Sequence, residues 1–231
     1  MRIALVGNSH AAMMKGGWDM IAGAFPEIGM TFFASPKGSL DGLVVDGGRL
    51  VARDEALAQR LALTSGGRVG IDPVDFDIFV LVGLDLAVRR IDPRLSGALR
   101  KVTAERALDC LSMKIARQLR ALCDKPILCL PTPRRAADGG QTDRDTEATV
   151  ARYRAGTEAL TAVLPVQRIR VLGQPVETLV SSGQTAMHWS RGARKMPRGD
   201  GTQDAFGDDD TRHMNADFGA LWLRQVLPVA M

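Results

Sequence analysis

The segment RIALVGNSHAAMM, residues 2–14, places a strand, a turn and the start of a helix directly next to one another. Its apolar run ends at Gly7, and apolar residues at helical spacing resume at Ala11. Ser9 lies in the turn between them. Its hydroxyl either caps the following helix or acts as a nucleophile that needs a partner elsewhere in the chain.

Four further segments share the character of this first strand, being short and apolar on both faces, as strands covered by helices on both sides tend to be. The five predicted strands are 2–7, 29–34, 77–83, 126–130 and 168–172. Helical spacing lies between them. This alternation predicts a three-layer α/β/α fold with a five-stranded parallel sheet in flavodoxin-like order, forming one domain over residues 1–231.

Two insertions interrupt the alternation of strands and helices. The first, at about 36–66, contains a predicted hairpin over 40–54 with a glycine-rich turn, followed by a short helix. The second, at 181–210, is rich in Gly, Asp and Arg and shows no clear periodicity. A loop of this length is more often functional than incidental, so it is either a lid that carries substrate contacts or a flexible basic loop.

Composition limits the partners of the protein. The 231 residues carry a net charge of +4, with both signs mixed along the chain, and they include a single tyrosine. We therefore expect no nucleic-acid partner that stacks bases on aromatic side chains. No segment reaches the roughly 18–20 unbroken apolar residues that span a bilayer, and no signal-peptide pattern precedes the first strand, so we expect no membrane partner.

The cysteines fit a reducing compartment. There are three, an odd number, and none belongs to a C-x-x-C pair, so we expect buried thiols in a cytoplasmic protein. The histidines and aspartates show no standard metal-ligand spacing, and no P-loop lysine follows the glycine-rich region at 199–207. No metal and no cofactor are predicted, and the sequence does not indicate an oligomeric state.

A second polar cluster, DDDTRHMN at 208–215, lies near the end of the chain. Asp210 and His213 are three residues apart and precede an amphipathic helix. In a turn, this spacing brings the carboxylate to the imidazole Nδ1 and leaves Nε2 to accept a proton from a serine. The alternative is helix capping, since acidic residues are common before helices.

Together, the two chain ends resemble the SGNH (GDSL-type) hydrolase superfamily. GNSH at 7–10 stands where that family usually has Gly-Asp-Ser, and D-x-x-H at 210–213 matches its last block. The resemblance covers the termini and the βα alternation between them. It implies that Ser9 attacks an ester carbonyl, with His213 as general base and Asp210 orienting the imidazole.

The same resemblance implies an oxyanion hole formed by Ser9, by Gly38 after the second strand and by Gly83 after the third. The family's G-x-N-D block supplies an asparagine donor, whereas this chain has Asp85 at that position. An ionised aspartate cannot donate, and losing one such donor typically costs about 10²–10³-fold in rate. Either Asp85 is protonated, or it points elsewhere while the Gly83 N–H serves, or hydrolysis is weak or absent.

Four side chains are predicted to contact the substrate. His10 follows the nucleophile, and Asp85 follows the third strand. Arg134 comes after the fourth strand, where it either meets an anionic group or is a solvated surface charge. His188 lies in the long second insertion.

The predicted function is a serine esterase acting on a small acyl or acetyl ester. An acylated carbohydrate is one substrate class that the resemblance allows, so the expected partner is a small-molecule ester. Two alternatives remain open. One is an acyltransferase of the same fold that excludes water, and the other is a binding or scaffold protein that has lost turnover, which Asp85 favours.

Overall fold

The structure, a computed structural model, describes residues 1–36, 38–88, 95–137, 143–164, 168–197 and 199–230. The strands within these ranges are β1 (Arg2–Gly7), β2 (Gly29–Ala34), β3 (Leu43–Asp46), β4 (Arg49–Ala52), β5 (Gly70–Ile71), β6 (Ile78–Val82), β7 (Ile127–Leu130), β8 (Ala136–Ala137), β9 (Ile169–Val171) and β10 (Thr185–Ala186). The α-helices are α1 (Ala11–Ile21), α2 (Glu55–Ser65), α3 (Gly97–Ala107), α4 (Leu111–Leu122), α5 (Asp143–Ala162) and α6 (Ala216–Ala230).

Five parallel strands form the central sheet, in the order β2-β1-β6-β7-β9. Counted along the chain, this is the flavodoxin-like order, so the prediction of a three-layer α/β/α fold with a five-stranded parallel sheet is confirmed. Because the strands are parallel, their carboxyl ends share one edge. In open α/β sheets the loops at that edge form the ligand crevice.

Helices cover both faces of the sheet. In β1, Ala4 and Val6 belong to an apolar cluster with residues of α2, α4 and α5, whereas Ile3 and Leu5 belong to a cluster with residues of α1 and α6. Successive strand residues thus face opposite layers. A bilayer-crossing helix, which needs both length and continuous apolar character, is absent from the part of the chain that the structure describes.

The predicted hairpin is present in the first insertion. β3 and β4 pair antiparallel, and the turn between them contains Gly47 and Gly48 at φ angles of +52° and +78°. These left-handed angles favour glycine. α2 follows, with the Asp54 side chain accepting a hydrogen bond from the Leu57 N–H at 2.8 Å. β5 adds a third strand to this small sheet, which the sequence did not predict.

Candidate active site

Close packing of α1 against α6 brings the two ends of the chain together. A Cβ added to Gly17 would lie 2.2 Å from the backbone N of Ala220, and one added to Gly219 would lie 1.9 Å from the carbonyl O of Met13. Only glycine leaves room for this approach. The turns that precede the two helices therefore lie side by side.

Ser9, His213 and Asp210 form one hydrogen-bonded chain across this junction. The Ser9 Oγ lies 2.9 Å from His213 Nε2, although the two residues are 204 positions apart. His213 Nδ1 lies 2.8 Å from Asp210 Oδ2. With the carboxylate accepting from Nδ1–H, Nε2 is an acceptor for the serine hydroxyl.

Backbone groups fix the Asp210 carboxylate. Its Oδ1 accepts from the N–H of Arg212 at 2.7 Å and of His213 at 2.8 Å, leaving Oδ2 for the imidazole. Partial burial alone would raise the pKa of Asp210. The hydrogen bonds from His213 and Arg212 outweigh that effect, so the pKa is lowered below its usual value. Asp210 is therefore ionised at neutral pH.

The Asn215 side chain joins α6 to the second insertion. Its Oδ1 accepts from the Phe218 N–H at 3.0 Å, which caps α6, and its Nδ2 donates to the carbonyl groups of His188 and Arg191. His188 takes part in this junction through its backbone carbonyl, which accepts from Asn215 Nδ2. Its exposed ring packs against Trp189 with ring centroids 4.7 Å apart and planes tilted by 41°, and His188 does not line the cavity beside Ser9.

Phe206 stacks on the His213 ring, a contact that the sequence analysis missed. The ring centroids are 3.7 Å apart and the planes differ by 5°. Phe206 is the only Phe, Tyr or Trp between Trp189 and Phe218, and this isolated position is the one feature of the sequence that could have indicated a role for it. Its backbone is held by a hydrogen bond from the Phe206 N–H to Ala193 O at 2.9 Å.

A cavity of about 380 Å³ opens beside Ser9. Both insertions contribute to its lining, and six of the twelve lining residues are apolar: Ala34, Pro36, Leu63, Met196, Pro197 and Phe206. Two exposed cations, Arg60 and Lys195, also line it. The cavity is therefore suited to an apolar group placed next to the serine hydroxyl.

Arg134 lines a different cavity, of about 170 Å³. Its guanidinium lies 5.9 Å from the centroid of the Tyr153 ring, and Arg152 and Ser181 line the same space. The residues lining this cavity and those lining the cavity beside Ser9 do not overlap. The structure thus separates Arg134 from Ser9, because its side chain extends toward α5.

The turn after β6 supplies no donor of the kind predicted. The Gly83 N–H donates to Leu130 O at 3.0 Å, within the β6–β7 ladder, which removes it from the set of available oxyanion donors. Asp85 is exposed. The Ser112 N–H donates to Leu84 O at 3.0 Å, which places the turn that contains Asp85 at the start of α4.

Gly38 begins a short turn after β2 with φ −84°, and it is exposed. Ser35 and Pro36, which precede it, line the cavity beside Ser9, whereas Gly38 does not. The role of its N–H therefore stays a prediction.

His10 is buried beside His213 rather than placed against a substrate. It is 8% exposed, its ring centroid lies 5.4 Å from that of His213, and it does not line the cavity. Its Nδ1 has no hydrogen-bond partner among the described residues. Burial lowers the pKa of His10 to about 4, helped by the charge of His213 and opposed by Asp210.

This low pKa predicts a loss of stability in acid. The folded state binds the His10 proton less tightly than the unfolded state does. The contribution of neutral His10 to the free energy of unfolding is therefore complete above pH 6.5 and disappears as pH falls toward 4. The shift corresponds to about 3 kcal/mol. Urea unfolding at pH 7 and pH 4 should show a smaller loss for His10→Gln than for wild type. An equal loss in both proteins would contradict the assignment.

Within the described residues, no group of three or more His, Cys, Asp and Glu side chains is arranged to hold a metal ion.

No protein-family model and no curated protein matches the chain. Solved structures are similar in fold. The periplasmic domain of a lipopolysaccharide acetyltransferase from Salmonella ser. Paratyphi A is 12% identical with a TM-score of 0.50, over 99% of this chain and 82% of that one. A Streptococcus pneumonia protein provisionally described as a platelet activating factor is 11% identical with a TM-score of 0.48, over 99% and 83%. At 12% identity the acetyltransferase domain supports the fold alone.

Proposed function

We propose that this protein is a serine esterase of SGNH-hydrolase type that acts on a small acyl or acetyl ester. The observation that carries the proposal is the hydrogen-bonded chain from Ser9 Oγ through His213 to the Asp210 carboxylate. Helix capping by Ser9 would not require an imidazole nitrogen 2.9 Å from the serine hydroxyl. Nor would it require an ionised carboxylate bound to the other nitrogen of that imidazole. The direct test is hydrolysis of p-nitrophenyl acetate that depends on Ser9 and His213.

The geometry fits two-step acyl transfer. As Ser9 Oγ attacks the ester carbonyl, His213 Nε2 accepts its proton, and the resulting imidazolium is stabilised by Asp210. The imidazolium then gives the proton to the departing alcohol, which leaves an acyl group on Ser9. Water attacks this acyl group with His213 again as the base, and the free acid leaves as Ser9 regains its proton.

Phe206 supports this cycle by its position on the imidazole. A parallel ring at 3.7 Å covers one face of His213 and restricts its rotation. The imidazole must keep its hydrogen bonds to Ser9 and Asp210 in both its neutral and its charged form. A ring whose rotation is restricted keeps this orientation more readily during proton transfer.

We propose that the cavity beside Ser9 receives the acyl group of the ester, which its apolar lining residues support. Its apolar walls should favour acyl chains longer than acetyl by about 0.8 kcal/mol, or about fourfold in kcat/KM, per added CH₂. We expect p-nitrophenyl butyrate to exceed the acetate accordingly. Met196→Trp, which fills the cavity, should reduce this gain.

The matched control for that prediction is Met20→Trp, since Met20 is 57% exposed on α1 and does not line the cavity. It should keep the wild-type preference for the longer chain. A wild-type protein that shows no preference between the two esters, or a Met196→Trp variant that keeps it, would place the acyl group outside the cavity.

An acyltransferase of the same fold is the second candidate function. The observation that favours it is Phe206, a residue of the second insertion, which covers one face of the His213 ring, because an acyltransferase must keep water from its catalytic base. The similar Salmonella structure is named as an acetyltransferase domain. Transfer to added alcohols or sugars that outruns hydrolysis would select this function.

On the basis of the sequence, we further propose a single domain over residues 1–231, a cytoplasmic location, no cofactor and a small-molecule ester or acylated carbohydrate as substrate. All three cysteines are free thiols, which is compatible with a reducing compartment. A binding protein without turnover is the outcome if Ser9 shows no reactivity.

A further inference from the structure

Attack by Ser9 places negative charge on the former carbonyl oxygen, and this charge needs hydrogen-bond donors. The two groups predicted for this role in the turn after β6, the Gly83 N–H and the side chain at position 85, do not supply them. The Gly83 N–H is used by Leu130 O, and Asp85 is exposed and acceptor-only when ionised. Another donor must therefore lie beside the serine if turnover is efficient.

The Asn8 side chain lies in the space above Gly83. A Cβ built on Gly83 would be 2.6 Å from Asn8 Oδ1 and 3.1 Å from both Cγ and Nδ2. Gly83, at φ +73°, is thus the residue that leaves room for the carboxamide. Asn8 also lines the cavity together with Ser9.

One hydrogen bond fixes which way the carboxamide faces. The His10 N–H donates to Asn8 Oδ1 at 3.1 Å, so the oxygen must occupy that side of the group. Nδ2 then projects from the opposite side with two hydrogens. Among the described residues, neither Asn8 Nδ2 nor the Ser9 N–H donates to a protein acceptor.

We propose that Asn8 Nδ2 and the Ser9 N–H together hold the oxyanion, which makes Asn8 a further catalytic residue. The inference rests on the proposed acyl-transfer function. It assigns to the residue before the nucleophile the amide donor that the turn after β6 lacks. The hydrogen bond to His10 pre-orients the carboxamide, so little reorganisation accompanies formation of the tetrahedral intermediate.

The test separates the donor role from the turn contact to His10. Asn8→Asp keeps an oxygen that can accept from the His10 N–H, but it removes both Nδ2 hydrogens. We expect kcat to fall about 10²–10³-fold with KM and thermal unfolding little changed. Asn8→Ala, which is neutral but loses the hydrogen bond from the His10 N–H, should show a similar loss of kcat together with lower stability.

A trifluoromethyl ketone supplies a second readout, because its hemiketal on Ser9 carries the oxyanion. Its affinity should fall in Asn8→Asp and in the uncharged Asn8→Ala by about the same factor as kcat, because both variants lack the Nδ2 donor. If wild type shows Ser9-dependent turnover and Asn8→Asp retains the wild-type rate, the assignment of Asn8 as a donor is overturned, while the proposed esterase function is not. If wild type shows no Ser9-dependent turnover, both are overturned.

Discussion

Replacing Ser9 by alanine is expected to lower kcat for p-nitrophenyl acetate by at least about 10⁴-fold. The variant keeps the imidazole and the carboxylate but has no atom to form the acyl-enzyme, so only direct attack by water remains. Purified wild type and variant should be compared by initial rates at pH 7.5. Thermal unfolding of the two should be similar, because within the described part of the chain the Ser9 side chain hydrogen-bonds to the His213 ring alone.

Ser112→Ala is the matched control. Ser112 is buried at the start of α4 and does not line the cavity beside Ser9, so its loss should leave the rate unchanged. Activity retained in Ser9→Ala would show that the hydrolysis arises elsewhere on the protein or from another enzyme in the preparation. Either result would remove the esterase assignment.

Asp210→Asn is expected to lower kcat about 10²–10⁴-fold while leaving the fold intact. The asparagine oxygen can still accept from the N–H of Arg212 and of His213. The amide nitrogen then faces His213 Nδ1, which becomes an acceptor, and the ring proton moves to Nε2. That tautomer donates to Ser9 instead of accepting its proton.

Asp209→Asn serves as the control for this variant, since Asp209 is a neighbouring exposed acid that breaks the three-residue spacing to His213. It should retain wild-type kcat. Unchanged turnover in Asp210→Asn would assign the orienting role to another group.

The central sheet could be predicted from the sequence because its inner strands β1, β6 and β7 are buried on both faces. Such strands are short apolar runs, and the helices between them require parallel crossovers. β5 has only two residues, too few for any alternation to show. α3 lacks an apolar face that would mark it, so periodicity alone predicts a single helix after residue 108.

The candidate site could be predicted only where short motifs mark it. The residues at its centre lie in turns beside helix starts, and the structure places Ser9, His213 and Asp210 within hydrogen-bond distance, although their catalytic roles stay a prediction. Phe206 could not be predicted, because its contact with His213 depends on the tertiary course of an aperiodic loop.

The same limit applies to the donors around Ser9. Sequence order suggests that Gly83 follows a strand and is free to donate, but the sheet ladder extends one residue further and uses its N–H. In the sequence, Asn8 cannot be distinguished from an ordinary capping residue. Its availability as a donor becomes visible only when Gly83 and His10 are seen to surround its carboxamide.

The most direct measurement is reaction of the native protein with an alkyl fluorophosphonate at neutral pH, followed by mass spectrometry of its peptides. We expect one adduct, with loss of fluoride, on the peptide that contains Ser9. The adduct should be absent from Ser9→Ala and should form far more slowly on His213→Ala. An unmodified Ser9 peptide, or labelling that persists in Ser9→Ala, would contradict the proposal that His213 activates this hydroxyl.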